Sequence, residues 1–145
     1  MTSESALVSV RVGEERDFGA VNAIANPEGM GPLPSMDNVY VAVNDADEVV
    51  GFIRLAFSDE GVCHVEPVAV YPTWRGYGVG RALIEFALEQ YGELRLVARG
   101  ESTPFYERLG FEPISWDDIA PGVTEDCIGC EHIDECNPQP MRKVR

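Results

Sequence analysis

The sequence predicts a mixed α/β domain, and three observations carry that expectation. β-rich runs recur early in the chain: "ALVSVRV", "NVYVAVND", "EVVGFIRLAF" and "VCHVEPVAV". An amphipathic helical pattern then runs from Val79 to Leu88. A second set follows it, in which "ELRLVA" and "FEPI" read as strands on either side of a short helix in "TPFYERLG". The length of 145 residues suits one compact domain, residues 1–145, and no linker divides it.

The elements follow in order. Residues 6–12 alternate as a strand does, and Phe18, Val21 and Ile24 recur at helical spacing. Residues 26–37, "NPEGMGPLPSMD", are rich in proline and glycine and read as a loop. The next two β-rich runs are separated by acidic turn residues around Asp45 to Asp47, the pattern of a hairpin. Pro67 cannot donate to a ladder, so the strand over residues 62–70 is expected to bulge or break there. In the following helix Val79, Leu83, Ile84, Ala87 and Leu88 share one face, and Arg81, Glu85 and Glu89 the other. Gly92 is expected to end it. Thr103 is expected to cap the short helix with Pro104 at its first position, and Gly110 to close it.

Charge excludes some partners. There are 25 acidic residues against 11 lysines and arginines, a formal net charge of -14, and Lys143 is the one lysine. Nucleic acid and anionic membranes need surface cations, so neither is an expected partner. The acidity fits a solvating surface for a salt-rich cytoplasm, and it also fits attraction of a cationic substrate. No apolar run approaches the ~18 residues of a membrane span, and the start lacks the pattern of an export signal. The expected location is the cytoplasm. The oligomeric state is open, a homodimer included.

The stretch "VAVYPTWRGYGVGRAL" places Gly76, Gly78 and Gly80 between a strand and a helix. Such a turn is suited to anions: the first helical amides lack intrahelical partners, the helix dipole adds partial positive charge, and absent Cβ atoms let a phosphate approach. Arg75 and Arg81 add charge beside it. The dinucleotide fingerprint fails, because Arg81 and Leu83 stand where its last glycine is needed, and "GRA" fails the P-loop ending. A tight turn kept only for packing is the plainer alternative.

"RGYGVG" resembles the R/Q-x-x-G-x-G/A signature of the GNAT superfamily of acetyl-CoA-dependent N-acetyltransferases, matched at Arg75, Gly78 and Gly80. "VAVYP" before it resembles the family's fourth strand, and "TPFYERLGFEPI" its fourth helix and sixth strand. The final "PMRKVR" is similar to the family's last strand. The resemblance implies a mostly antiparallel sheet of six to seven strands, with the fourth and fifth splayed, flanked by about four helices. It implies acetyl-CoA as co-substrate. The main chain of Val68, Ala69 and Val70 would pair with the pantetheine arm, and the amides of Gly76, Tyr77, Gly78, Val79, Gly80 and Arg81 would bind the pyrophosphate beside Arg75. It also implies acetyl transfer to a primary amine by direct attack.

That chemistry needs an amine freed of its proton, a stabilised oxyanion and a protonated leaving thiolate. Cys63 is not needed as a nucleophile. Tyr106 matches the family tyrosine that protonates the coenzyme A sulfur; packing on Phe105 and Phe111 is its plainer role. For the base, Glu66 and His64 lie on one strand face and both stand open, as does ordered water. His64 has a suitable intrinsic pKa near ~6.5, whereas Glu66 would need its own raised by burial. An amide near Val68 is the expected oxyanion donor. The loop from Asn26 to Asp37 is expected to shape the acceptor site. The acceptor, a small-molecule or peptide amine, is not specified.

"CIGCEHIDEC" gathers Cys127, Cys130, His132 and Cys136 within a loop over residues 117–138. A Cys3His zinc site and a reduced, metal-free loop are equally open, and a disulfide is a further option. The resemblance gives this loop no role. A second class of function, a non-catalytic acyl-CoA-binding sensor or interaction module, stands beside the enzyme.

Overall fold

The computed structural model describes residues 8–25, 33–98, 100–120 and 137–145. Among the described residues seven strands form one mixed, mostly antiparallel sheet in the order β1-β2-β3-β4-β5-β7-β6. They are β1 (Ser9–Val12), β2 (Val39–Val43), β3 (Val49–Phe57), β4 (Cys63–Val70), β5 (Glu93–Ala98), β6 (Glu112–Pro113) and β7 (Gln139–Val144). Three α-helices stand among the described residues: α1 (Phe18–Ala25), α2 (Val79–Tyr91) and α3 (Thr103–Arg108). β4 and β5 run parallel and splayed, paired at His64 opposite Arg95. Parallel neighbours need a crossover, and α2 supplies it. No helix among the described residues is long and apolar enough to cross a membrane.

The chain forms two compact units. The first comprises Met1–Leu55 and Pro67–Gln90. Its hairpin of β2 and β3 pairs Val39 with Arg54 through Ala42 with Gly51. The turn closes where the Asn44 side-chain oxygen accepts from the amides of Ala46 and Glu48, each at 3.0 Å. Val21 and Ile24 of α1, Val39 and Val41 of β2, and Phe52 of β3 share one buried core with Ala69 of β4. Val79, Leu83, Ile84, Ala87 and Leu88 are all buried, the face their spacing predicts, while Arg81 and Glu85 are exposed. A left-handed Gly92 (φ 82°) follows the helix, a conformation that glycine adopts without steric cost.

An ion network ties the start of this unit to its hairpin. Arg11 donates to both carboxylate oxygens of the buried Asp17, at 2.8 and 3.0 Å, and to Asp47 at 3.2 Å. Arg16 reaches Asp47 at 2.9 Å. The Glu14 amide donates to Asp17 at 2.8 Å. The bonds from Arg11 hold the Asp17 carboxyl below its ordinary range, against the opposing effect of burial.

The second unit comprises Ala56–Glu66 and Tyr91–Arg145. β7 inserts between β5 and β6, pairing Glu93 with Val144 through Ala98 with Gln139 on one side, and Glu112 with Arg142 on the other. Leu94, Leu96 and Met141 are fully or almost fully buried. α3 ends at a left-handed Gly110 (φ 95°), as its sequence predicts. The Lys143 ammonium of β7 donates to the Leu109 carbonyl at the end of this helix. The one lysine of the chain thus serves as a C-terminal cap.

Two local expectations are corrected. β4 runs as one strand over Cys63–Val70, so the chain does not break at Pro67. Proline's fixed φ is compatible with extended backbone, and only its donor is lost. The cap of α3 is Ser102, not Thr103, and its side chain makes no capping bond. A 3₁₀ turn over Gly100–Ser102 leads straight into the helix, so Ser102 already has helical backbone angles.

Candidate acyl-carrier and catalytic residues

In the first unit, β4 is followed by a 3₁₀ turn over Pro72–Trp74 and then by the glycines. Gly76 (φ 87°) and Gly78 (φ 81°) are both left-handed, and a Cβ on either would meet nothing within 4 Å. These glycines are therefore required by backbone conformation and leave open space above it. The first i→i−4 bond of α2 runs from the Ala82 amide to the Gly78 carbonyl, 3.0 Å. The amides of Val79, Gly80 and Arg81 precede that bond, and the positive end of the helix dipole lies there. Arg75 is exposed, and its Nε lies 3.4 Å from the Val70 carbonyl. Arg81 pairs along the helix with Glu85 at 3.0 Å. Tyr77 stands between the two left-handed glycines and packs edge-on against Trp74.

The main chain of β4 alternates. The Tyr71 amide donates to the Val50 carbonyl at 2.8 Å, toward β3. The Ala69 carbonyl faces β3 too, lying 3.1 Å from where a Cβ on Gly51 would be. Alternation then directs the N–H and C=O groups of Val68 and Val70 away from β3. Of the three residues expected to pair with an extended ligand, Val68 and Val70 offer outward main chain, and Ala69 does not.

Gly51 was missed by sequence reading. A Cβ there would lie 2.9 Å from Val79 Cγ1 and 3.4 Å from Leu83 Cδ1. Its absence lets the N-terminal end of α2 settle directly on β3. A lone glycine inside a strand pattern is the one signal that could have marked it.

In the second unit, Tyr106 is almost fully buried on α3. Its ring packs edge-on against Phe105 and Phe111, with centroids 5.0 and 5.5 Å away. Burial pushes the phenol up to about 12, so it carries its proton throughout the neutral range. Glu66 is half-buried on β4.

His64, two residues earlier, is 1% exposed, and both ring nitrogens are engaged. Nδ1 lies 3.0 Å from the Val62 carbonyl, which can only accept, so the proton sits on Nδ1. Nε2 then accepts from the Ala120 amide at 3.2 Å. Burial lowers the pKa of this ring. The neutral imidazole has no lone pair left for an amine. Arg95, opposite His64 on β5, donates to the Asp118 carbonyl at 2.6 Å and holds the same segment.

Cys63 is buried, and burial pushes its thiol up to about 12, which leaves it protonated and inert. Cys127, Cys130, His132 and Cys136 lie outside the described residues. Among the described residues no cluster of three or more metal-ligating side chains occurs.

A glycine turn leads from β4 into α2, and β4 and β5 run parallel. A family model described as acetyltransferase (GNAT) domain matches residues 35–113, and the chain belongs to the GNAT acetyltransferase family. It is 35% identical over 77 residues to the peptidyl-lysine N-acetyltransferase YjaB of Escherichia coli (strain K12), a match spanning 51% of this chain and 49% of that protein. It is 25% identical over 147 residues to the uncharacterized N-acetyltransferase CT2212 of Chlorobaculum tepidum, covering 93% of this chain and 95% of that one. The fold is also that of N-acetylglutamate synthase from Neisseria gonorrhoeae, solved with coenzyme A and N-acetyl-glutamate. That likeness has a TM-score of 0.77 at 17% identity over 97% of this chain and 36% of the other.

Proposed function

We propose that this protein, with residues 1–145 as one acetyltransferase domain, transfers an acetyl group from acetyl-CoA to a primary amine by direct attack. The observation that carries the reading is the turn at Gly76 to Arg81. Two left-handed glycines open onto the unpaired amides of a 13-residue helix, within the segment the family model matches. Those amides and Arg75 suit a pyrophosphate, and the outward main chain of Val68 and Val70 suits the amide-bearing pantetheine arm.

The roles follow from the chemistry. The amine nitrogen attacks the thioester carbonyl, and the Val68 amide meets the oxyanion. Glu66, or a water it holds, takes the proton of the amine; His64 is left out because its ring is fully engaged. The C–S bond then breaks, and Tyr106 supplies a proton to the departing thiolate. A phenol held at about 12 is protonated whenever the reaction would run. Coenzyme A leaves as the free thiol.

The acceptor is an amine such as a peptidyl lysine, the substrate named for YjaB, or a small amino compound. We place the protein in a cytoplasm, where the buried Cys63 thiol stays reduced. We read the net charge of -14 as a surface suited to high salt. For the cysteine loop, a structural zinc on Cys127, Cys130, His132 and Cys136 is the reading that metal content tests, on protein purified under reducing conditions without chelator. Thiol release from acetyl-CoA across a panel of amines and lysine peptides tests the activity. Acetyl-CoA bound but never turned over would favour a binding module instead.

A further inference from the structure

We propose that Tyr77, backed by Trp74, is a stacking platform for the adenine ring of the acyl carrier, so that the protein selects coenzyme A over carriers lacking the nucleoside. The inference rests on the reading of the glycine turn as a pyrophosphate cradle.

A cradle for phosphate works best bare of side chains, and the loop from Gly76 to Gly78 carries just one, Tyr77. Tyr77 sits between Gly76 and Gly78, whose left-handed backbone leaves open space on both sides. The tyrosine is 57% exposed, so the turn's one large side chain lies at the surface instead of in the core. It is not loose: the Trp74 ring stands 5.8 Å away at 60°, an edge-to-face contact that holds it from one side. A flat, largely exposed ring in contact with a second aromatic ring, two residues before the first helical amide at Val79, is a surface for a flat ligand.

The carrier's chemistry matches that placement. Its adenine is joined to the pyrophosphate through a single ribose, so a base emerging from the cradle meets whatever ring borders it. Adenine is neutral and aromatic, and an exposed aromatic face suits it. The pantetheine arm leaves in the other direction, toward the main chain of Val68 and Val70, and gains nothing from Tyr77.

Calorimetry with two probes separates the platform from the cradle. The probes are coenzyme A and phosphopantetheine, which keeps the arm and a phosphate but lacks the nucleoside. Tyr77→Ala is expected to weaken coenzyme A by about 5- to 100-fold, the range of a lost base–aromatic stack. It should leave phosphopantetheine unchanged, and Tyr77→Phe should bind coenzyme A as the wild type does. Adenosine bisphosphate, the nucleotide half of the carrier, should lose affinity with Tyr77→Ala by the same factor as coenzyme A. The ring is exposed, so a thermal melt should find the variant folded. Unchanged coenzyme A affinity in Tyr77→Ala overturns the platform and leaves the phosphate cradle standing. Equal weakening of coenzyme A and phosphopantetheine overturns it too, because the side chain would then shape the turn. Failure of the wild-type protein to bind coenzyme A removes the underlying reading as well.

Discussion

Gly51 of β3 lies directly beneath Val79, the first residue of α2, so close that a Cβ would stand 2.9 Å from Val79 Cγ1. Neither neighbour gives way easily: Val79 is β-branched and buried, and the Ala69 carbonyl is backbone. Gly51→Ala should therefore lift the N-terminal end of α2. Overpacking of this kind costs roughly 1–3 kcal/mol. Acetyl-CoA affinity should fall in the same variant, since the amides at issue belong to the displaced turn. Denaturant melts and calorimetry read the two effects separately; wild-type values in both would show that the contact relaxes freely.

Tyr106→Phe removes one hydroxyl and keeps the ring between Phe105 and Phe111. If the hydroxyl protonates the leaving thiolate, kcat should drop by an amount within or below the ~10²–10⁴-fold typical of general acid assistance. Acetyl-CoA affinity should hold. Wild-type turnover across pH, with chemistry rate-limiting, would make Tyr106 a packing residue.

The Arg11–Asp17 pair gives a pH prediction. Arg11 lowers the folded-state pKa of Asp17 below its ordinary 3.8. The unfolded chain thus binds the proton more readily. The stabilisation is fully present above about pH 4 and is lost as pH falls through the folded value. Urea melts should show stability declining on that acid side. Asp17→Asn should lose roughly 1–3 kcal/mol at neutral pH, as expected for a hydrogen bond between charged groups, and should flatten part of the acid limb. An acid limb identical in both proteins would exclude Asp17 as a contributor.

The charge of -14 gives a salt prediction. If the acidity is a high-salt adaptation, the melting temperature should rise from dilute buffer to molar KCl as repulsion is screened. A flat or falling trend would count against it.

What sequence could reveal here was whatever local pattern dictates. The hairpin is legible because two β-rich runs flank Asp45 to Asp47, and α2 because its apolar residues repeat at helical spacing. The left-handed turns at Gly76, Gly78, Gly92 and Gly110 fall at glycines that punctuate such patterns. What stayed hidden depends on partners far along the chain. His64 reads from sequence as a candidate base beside Glu66, and the Ala120 amide that occupies its second nitrogen lies 56 residues further on. Arg11 and Asp17 gave no sign that Asp47 joins them. The outward aim of Val68 and Val70 follows from which edge of β4 meets β3, and pairing of that kind is not written in either strand.

Calorimetric titration of acetyl-CoA into the wild-type protein and into Gly78→Glu bears most directly on the central claim. Gly78 is left-handed and open above, so a glutamate brings both backbone strain and a negative charge to the phosphate cradle. Binding is expected at one site per chain in the wild type and at none in the variant, with a melt showing that the variant is folded. No binding by the wild type, or equal binding by a folded Gly78→Glu protein, would contradict it.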